Sequence, residues 1–402
     1  MHLQGLKNTV NGARKTKLYA DSLAGIRFAS KADISKLPTT TKDQLRKSFP
    51  FEGLAVSQKN VVEVHTTSGT TGDPTISFYT QKDLDRCTDE LVFAWKKLGI
   101  NKSSVVQFIM SYGLFSGAML NTYAIKKLGA LVVPSGIIPL QQQLKFMIDF
   151  KVNYLVATPS FYLYLADFLD NNPDYKNRLK ITRGVAAGEI YSEETRQIIE
   201  SRLGIEIRNH YGLCEVYTGL AYECDQKDGL HVLGSLAHPE ILEIDSDSPT
   251  KLHESGELVL TSINKEASPV IRYRTGDITK FLPGNCPCGD KSKKIARIES
   301  RVDDVITIKG IKINPHELKS EILKTFSNDI YSDILFAISE NSLSTQPEIR
   351  LSFRPNSDAA TTALDIENHI YHITRLKFKI NNMEPISSLE GRSMKNKLVE
   401  YI

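Results

Sequence analysis

The chain of 402 residues is predicted to be an α/β protein, and three observations indicate this fold class. From about residue 61 to about residue 212, apolar β-branched runs alternate with helix-period segments, as in parallel strands joined by crossover helices. Shorter strand-like pieces, separated by Pro and Gly, follow as far as about residue 299. A helix pattern between two strand patterns then predicts a small α+β module over residues 300–402.

These patterns predict two domains. Residues 1–299 would form a large amino-terminal domain with parallel-type sheets, flanking helices and a β-rich part at about 213–299, and residues 300–402 a small α+β domain. The predicted strands lie at 105–110, 130–133, 154–157, 181–185, 256–260, 305–308 and 348–353. Apolar residues from Leu84 to Leu98 share one helical face, Ser192 caps a second helix, and a third helix is predicted at 315–325.

Composition excludes several classes of protein. The hydrophobic fraction of 41% and the charged fraction of 24% are those of ordinary globular proteins, so a disordered or fibrous chain is not expected. A formal net charge of +3 without a large basic cluster argues against nucleic acid as a partner. Residues 1–17 lack the apolar run of a signal peptide, and no segment has the roughly 18 apolar residues of a membrane span, so we expect a cytoplasmic protein without a membrane partner.

A loop rich in hydroxyl groups and glycine follows the apolar run at 61–64. It contains Ser68, Gly69, Thr70 and Thr71. Glycine lets backbone amides approach an anion and the hydroxyl groups add donors, so the loop is suited to binding phosphate oxygens. The lysine of a Walker loop is missing, and a flexible polar turn is the alternative interpretation.

Two acidic residues farther along the chain extend the hypothesis of a nucleotide site. Glu215 follows a strand-like run, where a carboxylate can hold a magnesium ion that bridges phosphates. Asp277 ends the segment 272–277, which is predicted to be a loop, and it is suited to accept hydrogen bonds from two ribose hydroxyls. Each segment alone could be an ordinary turn, but three such segments in this order are not expected by chance.

Together these segments resemble the adenylate-forming superfamily and, within it, the phenylacetate–CoA ligase branch. The resemblance extends over nearly the whole chain through the segments 37–42, 49–51, 66–75, 112–115, 187–189, 211–215, 272–277 and 301–304. It implies AMP-forming activation of a small carboxylic acid, expected to be aryl or arylacetic, to an acyl-adenylate, followed by transfer to the thiol of CoA. ATP, Mg²⁺ and CoA are therefore expected to bind. The resemblance also implies that the small domain moves about a hinge near Asp303. A homodimer is in keeping with the resemblance.

The resemblance also implies roles for individual residues. Those expected to bind the nucleotide are Ser68, Gly69, Thr70, Thr71, Gly188, Glu189, Tyr211, Gly212, Asp277 and Arg301. Glu215 would bind Mg²⁺ and act in catalysis, and Tyr112, Phe115 and Ala187 would line the acid pocket. Packing in the core is the alternative role for the two aromatic residues.

Three positions depart from the family pattern. Asp73 stands where a basic residue is common, and Cys214 stands where the family usually has Thr. The carboxyl-terminal Gly-Lys pair that supplies the adenylation lysine is a Gly-Arg pair here, which makes Arg392 the candidate. Arg392 keeps the charge but not the shape of an ammonium group, so Lys395 or Lys397 is the alternative, and a solvated basic tail is a third interpretation.

Four residues form a second candidate site. Cys224 and His231 are separated by six residues, and Cys286 and Cys288 form a Cys-Pro-Cys sequence. Three thiolates and an imidazole are the ligand set of a closed tetrahedral zinc site, so we predict structural Zn²⁺ in the β-rich part. The alternative is that these are unrelated cysteines in loops. Cys87 falls in a helical pattern and is expected to be packed in the protein interior.

Two other functions stay open at the level of the sequence. The adenylate could pass its acyl group to a carrier-protein thiol or to an amine instead of CoA. The departures at Asp73, Cys214 and Arg392 also allow a nucleotide-binding relative with impaired catalysis. Release of AMP on addition of CoA alone would separate the first alternative from a CoA ligase.

Overall fold

The computed structural model describes residues 2–67, 73–302, 304, 306–308, 311–338, 346–384 and 398–401. The chain divides into two compact units, each made of two stretches of sequence. The first unit comprises Met1–Gly136 and Arg208–Ile298, and the second comprises Ile137–Ile207 and Glu299–Ile402. A boundary between functional domains at residue 299/300 stays a prediction.

Helices and strands alternate through much of the chain. The α-helices are α1 (His2–Ala13), α2 (Lys42–Lys47), α3 (Gln81–Lys97), α4 (Ser116–Lys127), α5 (Leu140–Asp149), α6 (Pro159–Asp170), α7 (Pro173–Arg178), α8 (Glu193–Leu203), α9 (Pro315–Phe326) and α10 (Ala359–Thr374). The strands are β1 (Glu63–Thr66), β2 (Ile76–Tyr79), β3 (Val105–Ile109), β4 (Leu131–Val133), β5 (Tyr154–Ala157), β6 (Arg183–Ala187), β7 (Glu206–Leu213), β8 (Tyr217–Glu223), β9 (Leu230–Val232), β10 (Ala237–Leu242), β11 (Gly256–Ser262), β12 (Tyr273–Thr279), β13 (Lys294–Ile295), β14 (Ser300–Arg301), β15 (Ile306–Ile308), β16 (Ile311–Ile313), β17 (Ile330–Ile338), β18 (Glu348–Phe353), β19 (Lys379–Asn382) and β20 (Val399–Tyr401). Within the described ranges, none of the helices is both long and apolar enough to span a bilayer.

The first unit begins its sheet structure with a hairpin. Strands β1 and β2 pair antiparallel, with Thr66 opposite Ile76. Helix α3 starts directly after β2 because the Thr80 hydroxyl accepts a hydrogen bond from the Asp83 amide and caps the helix. Its apolar face buries Trp95 completely. Strands β3 and β4 are parallel, and α4 makes the crossover between them.

Antiparallel strands form the β-rich part of the first unit. Strand β9 pairs with both β8 and β13, and β11 pairs with both β10 and β12. Every residue of β8 and β11 is buried, which is typical of strands covered on both faces. Just before β12, the buried Arg272 donates two hydrogen bonds of 3.1 Å to the Glu240 carboxylate on β10. This pair fixes the start of β12, a strand that contributes to the site described below.

The second unit contains a parallel pair and a mixed sheet. Strands β5 and β6 are parallel and are connected through α6 and α7. The mixed sheet has the order β19-β18-β17-β20, in which β17 and β18 are antiparallel and the outer pairs are parallel. Helices α9 and α10 contribute Ile322 and Ile370 to a core with Phe336 of β17 and Ile349 of β18. This is the α+β module predicted for the end of the chain.

A buried carboxylate joins the two stretches of the second unit. Asp167 on α6 accepts hydrogen bonds from Arg202 of α8 at 2.7 Å and from Arg354 at 2.8 Å. Its second oxygen accepts a bond of 3.1 Å from the Ser332 hydroxyl on β17. Only 4% of the Asp167 side chain is exposed, so both guanidinium groups neutralise a charge that water cannot reach.

Most predicted elements are confirmed, and with them the α/β fold class. The strands at 154–157 and 348–353 have the predicted bounds, and the helix at 315–325 is one residue longer. The prediction of a strand at 181–185 is wrong by two residues, since β6 begins at Arg183. The buried residues of β6 are Gly184, Val185 and Ala186. The strand is therefore formed by the small residues that follow Ile181 and Thr182, and not by these two β-branched residues.

Candidate functional site

In the chain, the hydroxyl-rich loop connects strands β1 and β2 of the first unit. Ser68, Gly69, Thr70 and Thr71 lie outside the described residues. The ends of the loop are held together, because the Thr67 amide donates to the Thr75 carbonyl at 3.1 Å and the two hydroxyls are also 3.1 Å apart. Thr67 and Thr75, at the two ends of the loop, therefore lie side by side at the end of the hairpin.

Glu215 lies next to Thr75. It lies in the turn between β7 and β8, and only 6% of the residue is exposed. Its Oε1 accepts a hydrogen bond of 3.2 Å from the Thr75 hydroxyl and another of 3.2 Å from the Tyr273 hydroxyl on β12. One carboxylate thus connects the hairpin, the β7–β8 turn and β12, although these segments are far apart in sequence.

The position of that turn depends on Gly212. Strands β7 and β8 approach so closely that a Cβ atom on Gly212 would lie 2.0 Å from the amide nitrogen of Gly219. No larger residue fits there without separation of the strands. The pairing is also irregular between Tyr211 and Leu213, so the strand bends just before the turn that carries Glu215.

Asp277 lies on the same strand as Tyr273, and not in a loop. The prediction of a loop at 272–277 is wrong: Asp277 is inside strand β12 and is 3% exposed. Its Oδ2 accepts a hydrogen bond of 2.6 Å from the Tyr211 hydroxyl on β7. Gly and charged residues in this segment are typical of a turn, but Arg274 is neutralised by Glu257 of β11, and this pairing keeps the segment extended.

Sequence reasoning missed Lys265. This residue is 1% exposed, and its ammonium group contacts the backbone of the Glu215 turn. Burial lowers the pKa of Lys265 to about 8, while nearby acidic groups led by Asp83 oppose the shift. The local sequence 264–268 contains no motif that would have singled it out, because its partners come from distant segments.

Cys214 is not equipped to act as a nucleophile. Burial raises the pKa of its thiol to about 12, and the negative charge of Glu215 acts in the same direction. The thiol therefore stays protonated near neutral pH. The reaction expected for this site does not need a protein nucleophile.

The two predicted aromatic residues of the acid pocket occupy different environments. Tyr112 is half-buried, its hydroxyl is 2.9 Å from the Thr122 hydroxyl, and its ring meets Phe108 edge-on at 6.4 Å. Phe115 precedes α4 and is 39% exposed, so it does not fill the core. Burial of Tyr112 raises the pKa of its hydroxyl, which keeps it neutral.

Other predicted residues belong to the second unit. Ala187 ends β6, Gly188 follows with a φ of +83°, and Glu189 accepts hydrogen bonds from the Ser160 amide at 3.1 Å and hydroxyl at 2.6 Å. Glu189 therefore lies at the start of α6, where a negative charge is stabilised by the helix dipole. Arg301 ends β14. Asp303, Arg392, Lys395 and Lys397 lie outside the described residues.

Cys224, His231, Cys286 and Cys288 come together in the first unit. Their ligand atoms all lie within 4.8 Å of one another. The Cys224 and Cys286 sulfurs are 3.6 Å apart, and the Cys288 sulfur is 3.4 Å from Nε2 of His231. A tetrahedral zinc ion with the usual bond lengths would separate two sulfurs by about 3.8 Å and a sulfur and a nitrogen by about 3.5 Å. The residues present therefore fit this metal.

Surrounding groups orient the histidine of this cluster. His231 is fully buried, and its Nδ1 lies 3.2 Å from the Ser292 hydroxyl and 3.8 Å from the Asp290 carboxylate. The Tyr222 ring stacks on the imidazole at 5.4 Å, and its hydroxyl donates to Asp290. Such partners hold the imidazole so that Nε2 points at the three sulfurs.

Comparison with known proteins identifies the family. A family model described as AMP-binding enzyme matches residues 12–264. The chain belongs to this family. It is 35% identical over 294 residues to a phenylacetate-coenzyme A ligase of Pseudomonas putida, a match that covers 73% of this chain and 66% of the relative. It is also 35% identical over 300 residues to the phenylacetate-coenzyme A ligase of Escherichia coli K12, covering 74% and 68% of the two chains.

These matches confirm the predicted resemblance to the phenylacetate–CoA ligase branch of adenylate-forming enzymes. The matched part spans about two thirds of the length of those relatives. A 2-hydroxyisobutyryl-CoA ligase has the same fold, with a TM-score of 0.90 at 19% identity over 100% of this chain and 89% of that chain. An anthranilate CoA ligase with bound anthranoyl-AMP has a TM-score of 0.60 at 15% identity over 82% and 64% of the two chains.

Proposed function

We propose that this member of the AMP-binding enzyme family joins a carboxylic acid to coenzyme A through an acyl-adenylate. The observation that carries the proposal is the hydrogen-bonded group around Glu215, in which Thr75 ends the hydroxyl-rich loop and Tyr273 precedes Asp277 on the same strand. A carboxylate bonded to the end of a phosphate-type loop, and to the strand that carries a buried acid suited to ribose, supports the binding of a magnesium-bound nucleotide.

The reaction has two displacements. A carboxylate oxygen of the acid attacks the α-phosphorus of ATP, the bond to the bridging oxygen breaks, and pyrophosphate leaves. The sulfur of CoA then attacks the acyl carbon, loses its proton, and AMP leaves with the former carboxylate oxygen. The first step brings negative charges together, so positioning and charge neutralisation are what the protein must provide.

The residues of the first unit divide this work. Ser68, Gly69, Thr70 and Thr71 would donate to the phosphates, and Glu215 would hold Mg²⁺, which neutralises charge on the phosphate oxygens. Asp277 would accept from the ribose hydroxyls, oriented by the Tyr211 hydroxyl. For Gly188, Glu189 and Arg301, which belong to the second unit, a part in nucleotide binding stays a prediction. These roles follow from the family resemblance.

An aryl or arylacetic acid is the proposed substrate class. The relatives are phenylacetate-coenzyme A ligases, and Tyr112 and Phe115 offer aromatic surface. A role of Ala187 in the acid pocket stays a prediction. CoA is favoured over a carrier-protein thiol or an amine because the relatives named above act on coenzyme A. The homodimer and the cytoplasmic location stay predictions.

A panel of acids tests the proposed function. With ATP and Mg²⁺, we expect pyrophosphate release that depends on the acid and is fastest with an aryl or arylacetic acid, and AMP release when CoA is added. ATP binding without pyrophosphate from any acid would instead support a catalytically impaired relative. Pyrophosphate without CoA-dependent AMP would support a carrier-protein or amine acceptor.

Arg392 is proposed to take the place of the adenylation lysine. Its charge would lie beside the carboxylate and the α-phosphate as they approach. We expect Arg392→Ala to slow acid-dependent pyrophosphate exchange roughly 100-fold, as the loss of one charge-stabilising donor does elsewhere. Lys395→Ala is the matched change three residues away. If Lys395→Ala abolishes the exchange and Arg392→Ala leaves it unchanged, the assignment is wrong.

The Cys224 cluster is proposed to hold a structural zinc ion. Three sulfurs and one imidazole nitrogen complete a tetrahedral shell, which leaves no position for a substrate. The cluster joins the end of β8, strand β9 and the segment before β13. We infer that its task is to fix these short strands, rather than to take part in the chemistry.

The module at 300–402 is proposed to turn about a hinge at Asp303 between the two displacements. Asp303 lies outside the described residues, and the proposal rests on the family resemblance. In the second unit this module is attached to α6 through Arg354 and Ser332, which both bind Asp167. A turn of the module would have to release these contacts.

A further inference from the structure

The Lys265 ammonium group has a complete set of acceptors inside the first unit. It donates to the Ser77 hydroxyl at 2.5 Å, to the Val216 carbonyl at 2.7 Å and to the Glu215 carbonyl at 3.5 Å. An ammonium group has three donors, so each is used. The rings of Tyr79 and Tyr217 flank it at 4.7 and 4.9 Å, and these contacts further stabilise the charge.

These acceptors lie on two segments that the proposed site must keep together. Ser77 is on β2, two residues beyond Thr75. The two carbonyls belong to the turn that carries Glu215. Lys265 therefore connects strand β2 of the hairpin to the turn that carries the proposed magnesium ligand.

The segment that carries Lys265 is itself anchored. The Asp83 carboxylate, at the start of α3, accepts from the amides of Glu266 at 2.8 Å and Ala267 at 2.9 Å. The Ser268 hydroxyl donates to the Phe78 carbonyl at 3.1 Å. The chain that directly follows Lys265 is thus fixed, and the ammonium group can transmit this rigidity to the Glu215 turn.

We propose that Lys265 is the positioning residue that holds the turn of Glu215 against strand β2, so that the Glu215 carboxylate stays beside Thr75. The inference rests on the proposed function, because it gives a role in magnesium-dependent nucleotide binding to a residue that touches neither ligand. A buried cation is expensive unless its hydrogen bonds are made, and an apolar side chain would fill the same space at lower cost. The directed bonds to the turn are what the lysine adds.

A double-mutant cycle tests this role. ATP affinity is measured by calorimetry with Mg²⁺ and with a chelator in wild type, Lys265→Met, Glu215→Gln and the double variant. We expect Lys265→Met to weaken ATP binding about 10-fold with Mg²⁺ and to leave the magnesium-free affinity unchanged. In the Glu215→Gln background, the same change should have little further effect, since it acts through Glu215.

Two further variants separate positioning from stability. Ile125→Ala removes a fully buried side chain of α4 in the same unit and should lower the melting temperature without changing the magnesium dependence. Ser77→Ala removes one of the three acceptors, and it gives a milder change if Lys265→Met does not fold. We expect it to weaken magnesium-dependent binding about twofold to fivefold. Amide exchange at residues 214–217 should rise in Ser77→Ala and not in Ile125→Ala.

The outcomes also separate this inference from the proposed function. If wild type shows no magnesium-dependent ATP affinity, the proposed function fails and the inference fails with it. If wild type shows that dependence and the Lys265 and Ser77 variants keep it, only the inference is overturned. Effects of Lys265→Met and Glu215→Gln that multiply in the double variant would likewise assign Lys265 a purely structural role.

Discussion

Replacing Glu215 with glutamine is expected to lower acid-dependent pyrophosphate exchange roughly 100-fold or more. Raising the Mg²⁺ concentration should not restore most of the lost rate. The amide keeps the shape of the side chain and can still accept from Thr75 and Tyr273 through Oε1, so the turn should keep its position. What the variant lacks is the negative charge that binds the metal. Exchange rates measured across a series of Mg²⁺ concentrations check this expectation.

Glu223→Gln is the matched control. Glu223 is also a buried carboxylate of the first unit, but it pairs with Arg297 and accepts from the Asn209 amide. Its replacement should lower the free energy of unfolding and leave the dependence on Mg²⁺ as in wild type. An exchange rate in Glu215→Gln equal to that of wild type, with unchanged magnesium dependence, would remove Glu215 from the site.

The second large effect is expected at the cysteine and histidine cluster. Purified wild-type protein should contain about one zinc ion per chain, and Cys286→Ser should contain much less and melt roughly 5–10 °C lower. The sulfur of Cys286 is 3.6 Å from that of Cys224, and a serine hydroxyl is too short and too weak a ligand to replace it. Elemental analysis and thermal melting measure the two quantities.

Cys87→Ala provides the comparison. Cys87 is fully buried in α3, outside the cluster, so its loss should destabilise the core without lowering the zinc content. A wild-type protein purified without zinc, whose melting temperature does not change when zinc is added, would contradict the proposed structural ion. Equal zinc contents in Cys286→Ser and wild type would contradict the assigned ligands.

The cluster shows what sequence alone can predict. Cys224 and His231 lie on neighbouring parts of one hairpin, and Cys286 and Cys288 are separated by one residue, so each half is local. Only the contact between the Cys224–His231 pair and the Cys286–Cys288 pair depends on the fold. Three cysteines and one histidine are a specific ligand set for zinc, so the sequence alone predicts that the four residues bind one ion together.

Lys265 and Asp277 show where sequence reasoning fails. The bond from Lys265 to Ser77 joins residues 188 positions apart, and a lone lysine in a loop gives no local sign of burial. The segment 272–277 is predicted to be a loop, but Asp277 lies in strand β12, and Glu257 on the adjacent strand β11 and Glu240 on β10 neutralise Arg274 and Arg272. In both cases the deciding contacts come from other parts of the chain, so the local sequence does not show them.

The Asp167 group has a consequence for any displacement of the carboxyl-terminal module. Arg202 and Asp167 both lie in the stretch Ile137–Ile207, while Arg354 and Ser332 belong to the module. Withdrawal of the module would remove one arginine and leave the other in place, so Asp167 would never be stranded as a lone anion. Arg354 stacks on Tyr331 of the module, so it too would travel with a companion. The buried anion thus keeps a cationic partner throughout such a displacement, and Arg354 would keep its bonds to the Ser327 and Ile330 carbonyls of the module.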